Sequence, residues 1–167
     1  MNTQRPFTIT PAQRHHTPAI HAMIAELAQY EKLEHLLKGT VRDLEKELFG
    51  ERPIIEAVTA LVDETPVAFA LYFHNYSTFL GRKGLYLEDV YVKPAYRRQG
   101  IGRALLIHLA RIAVARGCGR FEWSVLDWNA PAIQFYEGLG ATVMPKWRIV
   151  RVTGEALGAL AAKKGSL

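Results

Sequence analysis

An apolar run, Leu85 to Val92, is followed by the turn Lys93-Pro94-Ala95, then by two arginines and Gly100-Ile101-Gly102. Beyond the glycines, Leu105, Leu109 and Ile112 recur on one helical face. A strand that passes through closely spaced glycines into a helix constrains this chain more than any other feature. Backbone without side chains can lie against a ligand there. The first helical turn also offers N–H groups with no internal partner and the positive end of the helix dipole. Such a turn suits a pyrophosphate. Gly100 and Gly102 lack the third glycine and downstream acid of a dinucleotide fingerprint, and no Gly-Lys-Ser/Thr ending of a P-loop follows. The spacing alone also fits a glycine-rich turn without a ligand. Arg97 and Arg98, together with the strand–turn–helix context, point to an anionic cofactor.

The rest of the pattern gives the order of elements. Phe7-Thr8-Ile9-Thr10 alternates as a strand. Thr17 is expected to cap a helix with Pro18 at its first position, running to about Glu34. Thr40 and Asp43 predict a second capped helix ending near Gly50. Ile54 to Val62 and Val67 to Phe73 read as a hairpin around Asp63-Glu64-Thr65-Pro66. Asn75 to Gly84 reads as a polar loop before the central strand, and the glycine-started helix is expected to reach about Arg116. Phe121 to Leu126 reads as a strand, and Asn129 caps a helix from Ala130 to about Leu139. Thr142 to Val152 is expected to be a last strand or hairpin broken at Pro145, with a helix over Gly154 to Lys164. These elements predict an α/β (α+β) fold, a mixed sheet with helices on it.

A length of 167 residues fits one domain, residues 1–167, able to bury an ordinary core. The net charge of +5 comes from scattered basic residues, which a cofactor with several phosphates explains as well as nucleic acid does. No nucleic-acid partner is therefore expected. Cys118 is the only cysteine, so an intrachain disulfide is excluded and a thiolate zinc cluster is not expected. His15 and His16 have no metal-ligand spacing to carboxylates, and no metal is expected. With no apolar run of spanning length and no leader pattern, a cytoplasmic protein off the membrane is the simplest expectation.

Arg97-Arg98-Gln99-Gly100-Ile101-Gly102 closely resembles the acetyl-coenzyme A motif of the GNAT superfamily of N-acetyltransferases. Tyr86-Leu87-Glu88-Asp89-Val90-Tyr91-Val92, Asp127-Trp128-Asn129-Ala130-Pro131-Ala132 and Phe135-Tyr136-Glu137-Gly138-Leu139-Gly140-Ala141 narrow it further. Together they resemble the diamine (spermidine/spermine) acetyltransferase branch and its thialysine-type relatives. The resemblance implies a single-domain, V-shaped, largely antiparallel sheet flanked by helices, with acetyl-coenzyme A as cosubstrate where central strands part. It implies that backbone of Val90, Tyr91 and Val92 meets the pantetheine arm. The pyrophosphate would lie on Arg98, Gln99, Gly100, Ile101, Gly102 and Arg103, with Arg97 also among the cofactor-binding residues and Asn129, Ala130, Pro131 and Ala132 farther along the cofactor. Members are commonly homodimers, which the apolar tail at Ala156, Leu157 and Leu160 would allow.

Acyl transfer to an amine needs an ammonium, of pKa near 10.4, to lose its proton and a departing thiolate to gain one. A carboxylate and a phenol suit these tasks. Read alone, Glu88 fits a solvent-facing strand carboxylate and Tyr136 a core aromatic. The resemblance makes Glu88 the candidate base, directly or through water, and Tyr136 the candidate acid. A regular strand puts Glu88 and Asp89 on opposite faces, so a bulge is needed if both are to serve one cleft. Asp89 is then a contact of the substrate ammonium, Tyr30 and Glu31 match positions facing the acceptor, and Trp123 is a further candidate there. Ser77 stands where polyamine-specific members carry an acid, and Leu126-Asp127-Trp128 is compatible with the thialysine-type relatives. The expected acceptor is thus a small amine such as a diamine, polyamine or lysine-like amino acid. Acetylation of a protein amine, and a non-catalytic module sensing coenzyme A, are the alternatives.

Overall fold

Apolar and β-branched residues at nearly every position of Val58–Val62 and Val67–Tyr72 demand cover on both faces of a sheet. The computed structural model, which describes residues 6–163, provides it. Five strands, β1 (Thr8–Pro11), β2 (Glu56–Val62), β3 (Thr65–Ser77), β4 (Arg82–Val92) and β5 (Phe121–Trp123), lie in sequence order across one sheet. The first three pairings are antiparallel and β5 joins β4 in parallel. The helices are α1 (Thr17–Tyr30), α2 (Val41–Phe49), α3 (Ile101–Ala115), α4 (Ala130–Glu137) and α5 (Gly154–Ala161). This is the mixed, mostly antiparallel sheet with helices that the sequence predicts.

Parity along β3 assigns the two covers. Phe69 and Leu71 join Ile20 and Met23 of α1, Leu48 of α2, Ala57 and Tyr91 in one buried cluster. Tyr72 has the opposite parity, and the Arg116 guanidinium at the end of α3 lies 5.9 Å from its ring centre. The glycine-started helix therefore covers the other face, burying Ile101, Leu105, Leu106, Leu109 and Ala113. Phe69 is wholly buried; truncating such a side chain to alanine costs roughly 3–5 kcal/mol.

The described residues fall into two compact units, one ending at Ser124 and one beginning at Val125. The first holds the sheet with α1 to α3. The second holds α4, whose first turn is capped as expected, Ala132 N–H donating to Asn129 Oδ1 at 3.4 Å, and α5.

Several boundaries differ from expectation. Thr17 is the first residue of α1 and not its cap, because a single 3-10 turn (Arg14–His16) runs straight into the helix. Its hydroxyl donates to the Arg14 carbonyl at 2.7 Å. α1 stops at Tyr30, since Lys32 is left-handed at φ 61°. The Thr40–Asp43 capping box forms as read. Asn75 to Gly84 is mostly not loop: pairing continues to Ser77 and resumes at Arg82, because main-chain ladders do not require apolar side chains. β5 is shorter than Phe121 to Leu126. Thr142 to Val152 contains no strand; a strand needs a partner ladder, and Pro145 removes a donor from any it could join.

Candidate active site

The strand ahead of the glycine turn carries one extra residue. Leu71 of β3 faces Asp89 while its neighbour Tyr72 faces Leu87, so Glu88 is a bulge in β4. The consequence for side-chain direction is large. Tyr86, Asp89 and Tyr91 are opposite Phe73, Leu71 and Phe69, three residues of one face, so all three lie on the side that α1 covers. Without the bulge Tyr86 and Asp89, three residues apart, would lie on opposite faces. The sequence made a bulge at Glu88-Asp89 the condition for both to serve one cleft, and a register shift lies there.

Glu31, directly after α1, completes an acidic group with Glu88 and Asp89. Burial pushes the Asp89 carboxyl up to about 6, and the charges of Glu88 and Glu31 push the same way. Burial also raises Glu31. Among the described residues the charges acting on Asp89 are those of Glu88 and Glu31, both acidic. A buried carboxylate beside two others makes a site that favours a bound cation.

Beside them β4 offers backbone. Lys93 N–H donates to Val67 C=O at 3.0 Å. The facing pair Ala68/Val92 is therefore one whose own N–H and C=O groups point apart, and alternation makes Ala70/Val90 another. Val90 and Val92 thus turn their polar groups to the far side of β4. There β5 pairs only with Leu85 to Leu87, so among the described residues no strand lies beside Glu88 to Val92. An extended ligand with amides fits such an edge.

The turn that follows is left-handed twice, Arg98 at φ 59° and Gly100 at φ 81°. Gly100 precedes α3, and its carbonyl accepts the first helical bond, from Ala104 N–H at 2.9 Å. The N–H groups of Ile101, Gly102 and Arg103 are those a helix cannot satisfy internally, while the Ile101 side chain anchors the turn in the core at 1% exposure. Arg98 and Arg103 flank this cradle in sequence. Gln99 is tied back, Nε2 donating to the Ala95 carbonyl at 3.1 Å.

Arg97 behaves differently from its neighbour. Its Nε donates to the Val92 carbonyl at 2.9 Å, and its guanidinium lies 5.5 Å from the Tyr30 ring centre and 5.3 Å from that of Tyr91. The Tyr91 hydroxyl donates to Glu26 Oε2 at 2.9 Å. Glu26 is a residue the sequence reading missed. Its signal was the i, i+4 spacing to Tyr30 on one face of α1.

Two candidates stand apart. Ser77 pairs with Arg82 at the hairpin end, six residues from Leu71, or about 20 Å along the strand. Its Oγ accepts the Leu80 N–H at 3.2 Å, closing the turn. Trp123 is opposite Leu87 in register, which places it on the α3 side of the sheet, away from the face of Asp89. Its ring centre is 4.9 Å from that of Phe121. In the second unit Tyr136 lies on α4, its ring centre 5.5 Å from that of Phe135.

Residues 21–141 match the model of the Acetyltransferase (GNAT) family. The chain belongs to the GNAT acetyltransferase family. It is 41% identical to thialysine N-epsilon-acetyltransferase of Sus scrofa, over 84% of this chain and 89% of that protein. It is 35% identical to L-ornithine N5-acetyltransferase of Arabidopsis thaliana, over 86% of this chain and 82% of the relative. Among solved structures, an integron cassette protein from the mobile metagenome of V. cholerae superposes with a TM-score of 0.79 at 26% identity, covering 94% of this chain and 98% of that one. With named acetyltransferases this similar over most of its length, this GNAT protein is an N-acetyltransferase. No helix among its described residues is long and apolar enough to cross a membrane.

Proposed function

We propose that this enzyme takes the acetyl group from acetyl-coenzyme A and places it on the primary amine of a small cationic molecule, of the thialysine, ornithine or diamine class. The observation that carries the reading is the Glu31, Glu88 and Asp89 group beside the edge of β4 on which, among the described residues, no strand lies. A di-cationic or zwitterionic amine finds compensation there that a neutral acceptor would not. The relatives named for thialysine and for ornithine act on molecules of this size.

Bound along β4, the cosubstrate supplies an activated thioester. Val90 and Val92 hold its amide-bearing arm by backbone, and the first turn of α3 with Arg98 and Arg103 holds its pyrophosphate. Asp89 and Glu31 hold the acceptor through its charge. Glu88, exposed on its bulge, takes one proton from the ammonium through a water, leaving a lone pair on nitrogen for attack. The resemblance assigns to the Tyr136 hydroxyl the proton that the departing sulfur needs, and to Asn129 through Ala132 a contact farther along the cosubstrate.

Thiol release measured against thialysine, ornithine, lysine, diamines, spermidine and lysine peptides tests the acceptor. The highest kcat/KM is expected for a small amino acid or short diamine. A preference for spermidine or for peptides would overturn that assignment, and saturable binding without turnover would show a coenzyme A sensor instead.

A further inference from the structure

We infer that Arg97 is a positioning residue linking the acceptor side of the site to the cosubstrate side, and not a ligand of phosphate. The inference rests on the function proposed above. Three contacts carry it. Arg97 Nε donates to the carbonyl of Val92, on the edge of β4 where the amide arm lies. One face of the guanidinium environment is Tyr30, on the last residue of α1 and next to Glu31. Another is Tyr91, whose hydroxyl is fixed by Glu26 one turn before Tyr30 on α1.

The arrangement forms a closed circuit. Glu26 holds Tyr91, Tyr91 and Tyr30 flank Arg97, and Arg97 holds Val92. α1 returns to β4 through two side chains four residues apart. The end of α1, with Glu31, is thereby registered against the strand that presents Asp89. A guanidinium suits this task because it is planar, can lie against rings, and carries a directed Nε–H as well as its charge. The same contacts aim the group at α1 and β4, whereas the backbone of Arg98, in the turn beyond β4, is left-handed at φ 59°. Of the two adjacent arginines, Arg97 is thus the one these contacts hold against the protein, and Arg98 is the one the proposed function assigns to the anion.

Truncated cosubstrate separates the two roles, since acetyl-pantetheine has the amide arm and thioester but no pyrophosphate. If Arg97 positions, Arg97→Met lowers kcat/KM for acetyl-coenzyme A and acetyl-pantetheine by the same factor, roughly 10- to 30-fold, and raises KM for the amine. Arg97→Lys, which keeps the charge and loses the planar fork, fails to rescue. Arg98→Gln lowers kcat/KM for acetyl-coenzyme A alone. In the free protein, amide exchange speeds up across Leu27 to Glu31 in Arg97→Met and not in Arg98→Gln. A loss confined to acetyl-coenzyme A, rescue by lysine, or unchanged exchange at the end of α1 would overturn the inference. Wild-type protein without turnover on any amine would instead refute the proposed function, and the exchange measurement would still judge Arg97.

Discussion

Asp89→Asn should make the free protein more stable and the enzyme worse, with a pH signature that identifies the cause. Asp89 is carried by the Glu88 bulge onto the α1 face, where burial first, then Glu88 and Glu31, raise its carboxyl from 3.8 to about 6. A raised carboxylate is a cost to the fold when ionised. Below about pH 3 both folded and unfolded chains hold the proton, and the group costs almost nothing. As pH rises to 6 the unfolded chain has already released its proton while the folded one still binds it, so stability falls with pH. Above pH 6 the whole shift is expressed, about 2–3 kcal/mol. Asparagine has the same shape and never ionises. Urea unfolding of both proteins at pH 3, 4, 5, 6 and 7 should therefore give nearly coincident midpoints at pH 3 and an increasing advantage for the variant as pH rises. By pH 7 its Tm should be higher by about 4–12 °C. The amine should bind the variant more weakly, because the carboxylate that burdens the free fold is the one a cation neutralises. Stability curves that stay parallel from pH 4 to 7 would refute the reasoning.

Tyr136→Phe should reduce kcat about 100-fold or more while calorimetry finds coenzyme A binding within twofold; unchanged turnover removes the proposed acid. Gly100→Ala puts a side chain on a residue at φ 81° and should lower stability by roughly 1–2 kcal/mol, with weaker coenzyme A binding as the cradle distorts. A variant that melts and binds like wild type would mean that the turn relaxes without cost. Glu56→Gln breaks the pair in which Arg116 donates to both carboxylate oxygens, at 2.5 and 2.7 Å. With both side chains partly exposed, the expected loss is about 1 kcal/mol at neutral pH. Arg116 first, and nearby His74 and Tyr72 after it, hold Glu56 below the usual carboxylate range against the opposing effect of burial. Its contribution is present above about pH 4.5 and disappears as acid protonates the folded carboxyl. Equal losses in acid and at neutral pH would contradict this.

Local chemistry made much of this protein legible in its sequence. Gly100 reads as the start of α3 because few residues adopt its backbone angles, and the Thr40–Asp43 box and the Asn129 cap read as helix starts because each needs only atoms three residues apart. Glu88 and Asp89 were legible as a pair, and the need for a bulge followed from strand parity. What parity cannot say is where a bulge falls, since that depends on which residue of β3 faces which residue of β4. Tertiary register alone put Asp89 with Glu31, turned Trp123 to the other face and left Ser77 in a hairpin end. It also separated Arg97 from Arg98. Two identical side chains in succession carry the same charge in the sequence, but only the packing of α1 on β4 decides that one meets Tyr30, Tyr91 and the Val92 carbonyl.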